Sequence, residues 1–410
     1  MLDLAVGASS AQYDLVVVGS GPGGSTAAKF ASEQGMKVLL LEKKVSPGRK
    51  LCAGGVIGKV VRKFDIDDAA LECHIDSYRF YAEKEGWVDV PSKGAATSYR
   101  TTMENDTFKR FDYYLAMRAK DRGATLWTSS EAVGIKRDEG LTKVQVRTPT
   151  GDKLVTTKLV IGADGFHSTV GRLTGLTPPV PSGDMTVAVQ REVITGKETN
   201  HNCLHLFDPS IAPVGYLWVY PKSRGYTIGV GCLASHMVDP VKFMLQKAFE
   251  SNSLVKEFIP PGSTIMPLEG APIPAAPIGR FVDDGVMLIG DAAGQCDPVT
   301  GDGIYYAMSA GRRAAFAAAH AMSMGNTSRE TLGIYADEWN KEEGKELRWQ
   351  RKRLQILSKN YVGHFERRIA GMRSPRKEAL VRRTDYYLSR MMGLIPSFLL
   401  ERLVQDGYIL

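Results

Sequence analysis

Apolar residues fall into short continuous runs in some parts of the chain and strict alternation in others. Tyr13-Asp-Leu-Val-Val-Val-Gly19 is brief and β-branched, the pattern of a strand buried on both faces. Lys37-Val-Leu-Leu-Leu-Glu42 is a second such run, and good helix formers from Ser25 to Gln34, stopped by Gly35, lie between them. Together they predict a βαβ unit. Residues 73–105 alternate between Gly and Pro turns and predict antiparallel strands, and 108–121 predict a helix. Residues 131–164 predict several strands, ending with Lys158-Leu-Val-Ile-Gly-Ala-Asp164. From about 178 to 275 the pattern is again that of strands, with Pro-rich turns. Gly285-Val-Met-Leu-Ile-Gly-Asp291 reads as another buried strand, a long Ala-rich helix begins near Asp302, and the remainder to Leu410 reads as helical.

Composition narrows the class. At 410 residues the chain exceeds one ordinary core, and 43% hydrophobic with 24% charged residues excludes disordered and fibrous chains. No apolar run reaches the roughly 18–20 residues of a membrane span. The N-terminus lacks the charged-then-apolar pattern of a secretion signal, so a cytoplasmic protein is expected, free or resting on a membrane surface. Cys52, Cys73, Cys203, Cys232 and Cys296 are scattered without a C-x-x-C pair, which argues against a zinc site or a disulfide framework. His201 and His205 are four apart in a strand-like stretch, where such positions do not converge, so no metal is expected. The net charge is +7, and Lys341 to Arg390 alone carries fifteen Lys and Arg against six Asp and Glu. That stretch is either a solvated helical face or a surface for anionic headgroups. Nucleic acid is not expected, since no recognition motif or repeated aromatic pattern accompanies the basic residues.

The chemistry starts at Gly19-Ser-Gly21-Pro22-Gly23-Gly24, a G-x-G-x-x-G set between a strand and a helix. Gly19 permits the tight turn, Gly21 lets the backbone approach a pyrophosphate, and Gly24 lets helix and strand pack closely. The free N–H groups and positive dipole end of the helix then face the phosphates. Glu42 ends the second strand where an acceptor for a ribose 2′-hydroxyl belongs, and a carboxylate there disfavours a 2′-phosphate.

Gly162-Ala-Asp164-Gly165, followed by Ser168 and Arg172, resembles the Asp-Gly motif of glutathione-reductase-type flavoproteins, in the subgroup shared with aromatic hydroxylases. Gly290-Asp291-Ala-Ala-Gly294 resembles their second FAD signature, where the Asp accepts from ribitol hydroxyls. The resemblance implies FAD as cofactor. It implies an α/β fold: a Rossmann-type FAD-binding domain with an antiparallel substrate sheet and a helical C-terminal region. The expected FAD-binding segments are 1–72, 106–177 and 276–330; the substrate sheet takes 73–105 and 178–275, and the basic helical part 331–410. Pro298-Val-Thr-Gly301-Asp302-Gly303, opening the Ala-rich helix with Ile304, is expected beside the flavin pyrimidine edge, where the helix dipole would stabilise an anionic reduced ring. Lys43, Arg49 and Arg118 complete the expected cofactor set.

Pro213-Val-Gly-Tyr216-Leu-Trp218-Val-Tyr220-Pro221 resembles the P-x-x-Y-x-W-x-F-P pattern of the geranylgeranyl reductase family, with Tyr220 where Phe is usual. Lys50-Leu-Cys52-Ala53-Gly54-Gly55 resembles the Cys-plus-glycines segment these enzymes carry beside the flavin, with Ala53 interrupting the run. The similarity spans roughly residues 13–325. It implies reduction of isolated C=C bonds in polyprenyl chains, with electrons from NAD(P)H or a ferredoxin. Tyr216, Trp218 and Tyr220, two apart on a strand, share a face and would wall an apolar chain. An isolated alkene accepts a hydride only if a proton arrives nearly with it, and Cys52, a thiol that an apolar pocket keeps protonated, is the candidate acid. The expected substrate is a digeranylgeranyl glycerophospholipid of archaeal type; geranylgeranyl diphosphate or a geranylgeranylated chlorophyll is the alternative. An FAD-dependent monooxygenase or halogenase, and a non-catalytic flavin-loaded membrane-binding protein, remain as other readings.

Overall fold

The structure is a computed structural model and describes residues 11–48, 50, 52–98, 110–138 and 140–372. Its first sheet runs in the order Val282–Asp283, Val286–Leu288, Gly151–Gly162, Ala11–Val18, Val38–Leu41, Thr125–Trp127. The last five of these pair in parallel. Gly151–Gly162 is long enough to serve two partners: Val155 to Gly162 pair in parallel with Ala11–Val18, while Gly151 to Thr157 pair antiparallel with Leu141–Thr148, which continues to Glu131–Asp138. The four residues Val38–Leu41 are all buried, as the continuous apolar run requires.

Helices cover this sheet at very short range. Pro22–Glu33 starts three residues earlier than the helix formers suggest, because Pro at the first helical position loses no hydrogen bond there. It lies against Ile304–Ser323 with nothing between the backbones: a Cβ on Gly311 would stand 2.3 Å from the Gly23 carbonyl oxygen. Phe111–Asp121 packs on its other side.

The second sheet has the order Thr264–Ile265, Met185–Ile194, Gly225–Leu233, Gly215–Lys222, Asn202–Phe207, Ser77–Ala82, Gly86–Pro91, and Glu269–Pro274 also pairs with Met185–Ile194. Residues 77–91 thus join strands more than a hundred positions later through the parallel pair Ser77–Ala82 with Asn202–Phe207. Val189, Val193, Leu204, Leu206, Leu217, Val219, Ile228 and Val230 bury one face. What covers them corrects the all-strand reading of residues 178–275: Val241–Ser251 is a helix. Its Val241, Met244, Leu245 and Ala248 recur at helical spacing and bury onto the sheet.

A third, small sheet of Gly55–Val56, Ala96–Ser98 and Leu71–His74 bridges the other two. The chain then adds helices Arg329–Lys341, Glu343–Leu357 and Tyr361–Met372. Among the described residues no helix is long and apolar enough to cross a membrane. The basic tail beyond Met372 lies outside the described residues, including the run Met391–Leu400, apolar enough in sequence to be expected against a bilayer or over the pocket, as does Arg49.

Candidate active site

The phosphate-binding turn has the geometry its glycines require. Gly19 has φ +101°, and a Cβ there would meet the Ala163 carbonyl oxygen at 2.4 Å. A Cβ on Gly24 would lie 1.9 Å from the Gly19 carbonyl oxygen, so helix and strand meet there backbone to backbone. Gly21 instead faces open space, at a helix N-terminus with no side-chain cap and no acidic residue in its first turn. Uncapped N–H groups beside an open space are what a pyrophosphate needs. Glu42 is fixed by Ser20, whose hydroxyl donates at 2.5 Å, and by the Lys44 N–H at 2.9 Å. Lys43 is exposed beside it. Arg118 donates to the carbonyls of Phe64 and Asp65 and shares a surface recess with Ser25 and Thr26.

Asp164 accepts from the Ser168 hydroxyl at 2.6 Å and the Thr169 and Val170 N–H groups at 2.7 and 3.0 Å. It caps the helix Thr169–Leu173 and shapes the turn at Gly165, whose φ is +81°. Burial raises its pKa against those hydrogen bonds. Gly290, at φ +63°, donates its N–H to the Gln295 side chain at 2.7 Å. Asp291 pairs with Lys50, and its carboxylate would stand 3.6 Å from a Cβ on Gly303. The segment Pro298–Gly303 wraps the buried Asp297, which accepts from the Val299 and Thr300 N–H groups at 2.8 and 3.0 Å. Burial and the Asp297 carboxylate push Asp302 up to about 7, against hydrogen bonds from the Ile304 and Tyr305 backbone. Gly301 lies next to the Tyr216 hydroxyl, and that hydroxyl donates to the Thr300 carbonyl at 2.5 Å. The turn residues for FAD fit the group: an open anion cradle at Gly21, the Asp291 carboxylate paired with Lys50, and the start of the helix Ile304–Ser323, whose N-cap Gly303 brings no side chain.

The Cys52 loop lies where the two large sheets meet. The Gln190 amide donates to the Cys52 carbonyl at 3.2 Å, and the Gly54 N–H donates to the Cys52 sulfur at 3.3 Å. The Gly54 carbonyl accepts from the Ser98 N–H at 2.8 Å and hydroxyl at 3.1 Å. Gly54 has φ +81°, and a Cβ on it would meet the Ser98 oxygen at 2.7 Å and Lys222 Nζ at 2.8 Å; one on Gly55 would strike the Tyr220 ring at 2.7 Å. Ala53, which stands between Cys52 and the two glycines, is half-buried. The Cys52 loop is thus tied to Asp291 through Lys50 and to the strand Met185–Ile194 through Gln190, and Tyr216 is tied to the Thr300 segment.

Tyr216, Trp218 and Tyr220 do share a face, the one opposite the helix-covered side. They belong to a larger aromatic surface that alternation alone did not disclose. The His205 ring lies 5.1 Å from Tyr216, 5.7 Å from Tyr220, 5.3 Å from Phe80 and 5.8 Å from Tyr78. Phe207 lies 5.7 Å from Tyr216 and stacks at 3.8 Å on Phe365 of the helix Tyr361–Met372. Tyr78, Phe80, His205, Tyr216 and Tyr220 all keep part of their surface open. Yet burial holds the His205 imidazole down to about 4 and raises Tyr78, Tyr216 and Tyr220. The rings form one partly accessible aromatic surface, and its Tyr220 lies against Gly55 of the Cys52 loop. Gly229 and Gly231 leave room for the Trp218 ring, which lies over Gly229. Tyr78 and Phe80, and His205 and Phe207, stand two apart on their strands, but that spacing does not say which strands pair. Among the described residues no group of His, Cys, Asp and Glu could hold a metal ion.

Fold and site together define a flavoprotein, and residues 12–342 match the FAD binding domain family, so FAD is its cofactor. The chain is 33% identical to digeranylgeranylglycerophospholipid reductase 2 of Methanopyrus kandleri over 359 residues, 85% of this chain and 87% of that one. It is 34% identical to digeranylgeranylglycerophospholipid reductase of Methanothrix thermoacetophila over 339 residues, 82% of this chain and 84% of that one. Among solved structures, a geranylgeranyl bacteriochlorophyll reductase-like protein of Thermoplasma acidophilum superposes with a TM-score of 0.80 at 25% identity, covering 94% of this chain and all of its own. The chain belongs to the digeranylgeranylglycerophospholipid reductase family.

Proposed function

We propose that the protein reduces isolated C=C bonds in geranylgeranyl chains, first among them those of archaeal-type digeranylgeranyl glycerophospholipids. The observation that carries this reading is the aromatic surface of Tyr78, Phe80, His205, Phe207, Tyr216, Trp218 and Tyr220, which touches the Cys52 loop at Gly55 and the Thr300 segment through Tyr216. A polyprenyl chain has methyl-branched surface and no polar atoms, and rings on one sheet face match it. Reduced FAD supplies the hydride. Tyr216, tied to Thr300, keeps the wall in register with the cofactor side. The Gln190 and Ser98 bonds hold the loop so that Cys52 gives its proton to the alkene carbon. His205, held neutral by burial, contributes a ring and no charge.

The same reading assigns cofactor binding to 1–72, 106–177 and 276–330 and substrate binding to 73–105 and 178–275. It takes electrons from NAD(P)H, bound transiently, or from a ferredoxin. It sets the protein peripherally on the cytoplasmic face of a membrane, with the basic C-terminal region toward the headgroups.

The test is an anaerobic one. The purified protein is reduced with dithionite and mixed separately with geranylgeranyl lipid, geranylgeranyl diphosphate and a geranylgeranylated chlorophyll, and products are read by mass. Gains of two hydrogens per step with the lipid, as the flavin reoxidises, are expected. A flavin that ignores every prenyl substrate but reacts with oxygen would replace this reading with that of a monooxygenase.

A further inference from the structure

The turn between the second flavin signature and the aromatic surface holds two carboxylates. Asp297 and Asp302 stand at its two ends, and the Asp297 N–H closes it by donating to the Asp302 carbonyl at 2.9 Å. On one side of Asp302, a Cβ on Gly301 would lie 3.8 Å from the Tyr216 hydroxyl; on the other, a Cβ on Gly303 would lie 3.6 Å from Asp291 Oδ1. The Asp302 carboxylate folds onto the start of the helix Ile304–Ser323, where it accepts from the Ile304 and Tyr305 N–H groups. It is half-buried, whereas Asp297 is 5% exposed. Asp291 is paired with Lys50, and Asp297 faces Arg353 of the helix Glu343–Leu357. Asp302 is in no ion pair among the described residues. The cation acting on it is Lys59 of the helix Gly58–Phe64, which lies over the Tyr305 ring at 3.8 Å and also acts on Glu346. Tyr78, Tyr216, Tyr306 and Cys296, the other groups it faces, carry no charge near neutral pH, because burial raises each of them.

We propose that Asp302 takes up a proton when the bound FAD is reduced, so that reduction adds no net charge at this end of the helix. The inference rests on FAD as the cofactor and on the place of this turn between Asp291 and the helix start, and not on the prenyl substrate. One helix end stabilises about half a unit of negative charge. An ionised Asp302 already sets a whole unit on it, and the flavin resemblance puts the pyrimidine edge of the ring at the same end. A reduced ring carrying a single proton brings a second negative charge there. Like charges in an enclosed site raise each other's proton affinity, and Asp302, held at about 7 by burial and Asp297, is the group poised to neutralise. The ring gains two electrons and one proton at N5, and Asp302 gains one proton on a carboxylate oxygen. Both protons come from solvent, and the electrons come from a reduced nicotinamide, a ferredoxin or, in the test, dithionite. On reoxidation a hydride leaves the ring and the Asp302 O–H proton returns to solvent. By linkage, a proton on Asp302 makes the flavin easier to reduce by the same factor that reduction raises its proton affinity.

The FAD-loaded protein is titrated anaerobically with dithionite against a dye of known potential, from about pH 6 to about pH 9, and the slope of potential against pH counts the protons taken up per electron pair. One proton below about pH 7, rising to two over about one pH unit or more above it, is expected, which is a tenfold or greater gain in proton affinity. Asp302→Asn should take up one proton throughout. Lys59→Met keeps Asp302 but loses the cation that favours its ionised form, so the rise should move to higher pH; this variant decides the matter if Asp302→Asn does not retain FAD. A natural protein that takes up one proton throughout, or falls from two to one as the pH rises, overturns the proposal. So does a rise that survives in Asp302→Asn or stays in place in Lys59→Met. A protein that shows the rise yet reduces no prenyl chain keeps Asp302 in this role and loses the function proposed above.

Discussion

Cys52 and His205 are the two residues whose chemistry separates the readings most sharply. Cys52 receives one N–H bond from Gly54 and is otherwise held through its backbone, so Cys52→Ala leaves the loop's clamps in place. Normal FAD content with double-bond reduction lowered about 10²- to 10⁴-fold, the usual worth of a general acid, is expected from flavin absorbance and product mass. Near-normal turnover would remove the acid role. His205 has no metal partner in the sequence, since His201 stands four away in a strand-like stretch; its importance comes from neighbours on other strands. Burial holds it to about 4, against the ordinary value of 6.5. Between these values the unfolded chain takes up a proton that the folded chain refuses. The stability from a neutral His205 is thus whole above about pH 6.5 and is lost as the pH falls toward about 4. The ring is half-buried, so the loss is on the order of 2 kcal/mol rather than the full shift. Thermal unfolding of His205→Phe should fall less steeply than that of the natural protein over this range, and parallel curves would show that His205 does not set the slope.

At the scale of elements, the join between the small sheet and the strand Gly215–Lys222 decides where the Cys52 loop sits. Lys222 is fully buried, pairs with Glu72 at 3.1 Å and donates to the Ser98 carbonyl at 2.7 Å, while Ser223 binds the other Glu72 oxygen through its N–H and hydroxyl. Removing one partner of such a pair leaves a buried charge. Lys222→Met is expected to cost about 3–5 kcal/mol in urea unfolding, whereas Lys222→Met with Glu72→Leu should recover much of it. Equal losses in the two variants would mean that packing, not charge, is what Lys222 provides. Element types were legible wherever one period ran unbroken, as in Tyr13–Gly19 and the Ala-rich helix. The helix Val241–Ser251 was not, although Val241, Met244, Leu245 and Ala248 carry its period, because it stands among strands and has no polar cap residue before Val241.

Across the whole molecule, the basic charge of the last quarter is the feature that bears on where the protein works. If residues 341–410 meet headgroups, binding to vesicles containing anionic lipid should exceed binding to neutral ones and weaken as salt rises from about 0.05 to about 0.5 M, where the screening length shortens several-fold. A chain lacking residues 391–410, which hold the apolar run Met391–Leu400 and no net basic charge, should lose apolar contact with the bilayer, bind less and turn over lipid more slowly. Binding that ignores both lipid charge and salt would return the stretch to an ordinary solvated face.

Local sequence determined the phosphate turn, the strands that flank it, the flavin signatures and the pair Tyr216–Trp218, because each depends on backbone freedom or spacing within a few residues. Gly19 and Gly24 must be glycine for reasons that the strand–turn–helix imposes, while Gly21 leaves open the space a pyrophosphate would fill. Only the tertiary structure decided what stands opposite what. Strand pairing across more than a hundred residues brought Tyr78 and Phe80 beside His205, and folding of separate segments set Gln190 on Cys52 and Tyr216 on Thr300. Such pairings are chosen by the burial of whole faces and by closure of long loops, energies that belong to the assembled sheet and leave no mark on any one stretch of chain.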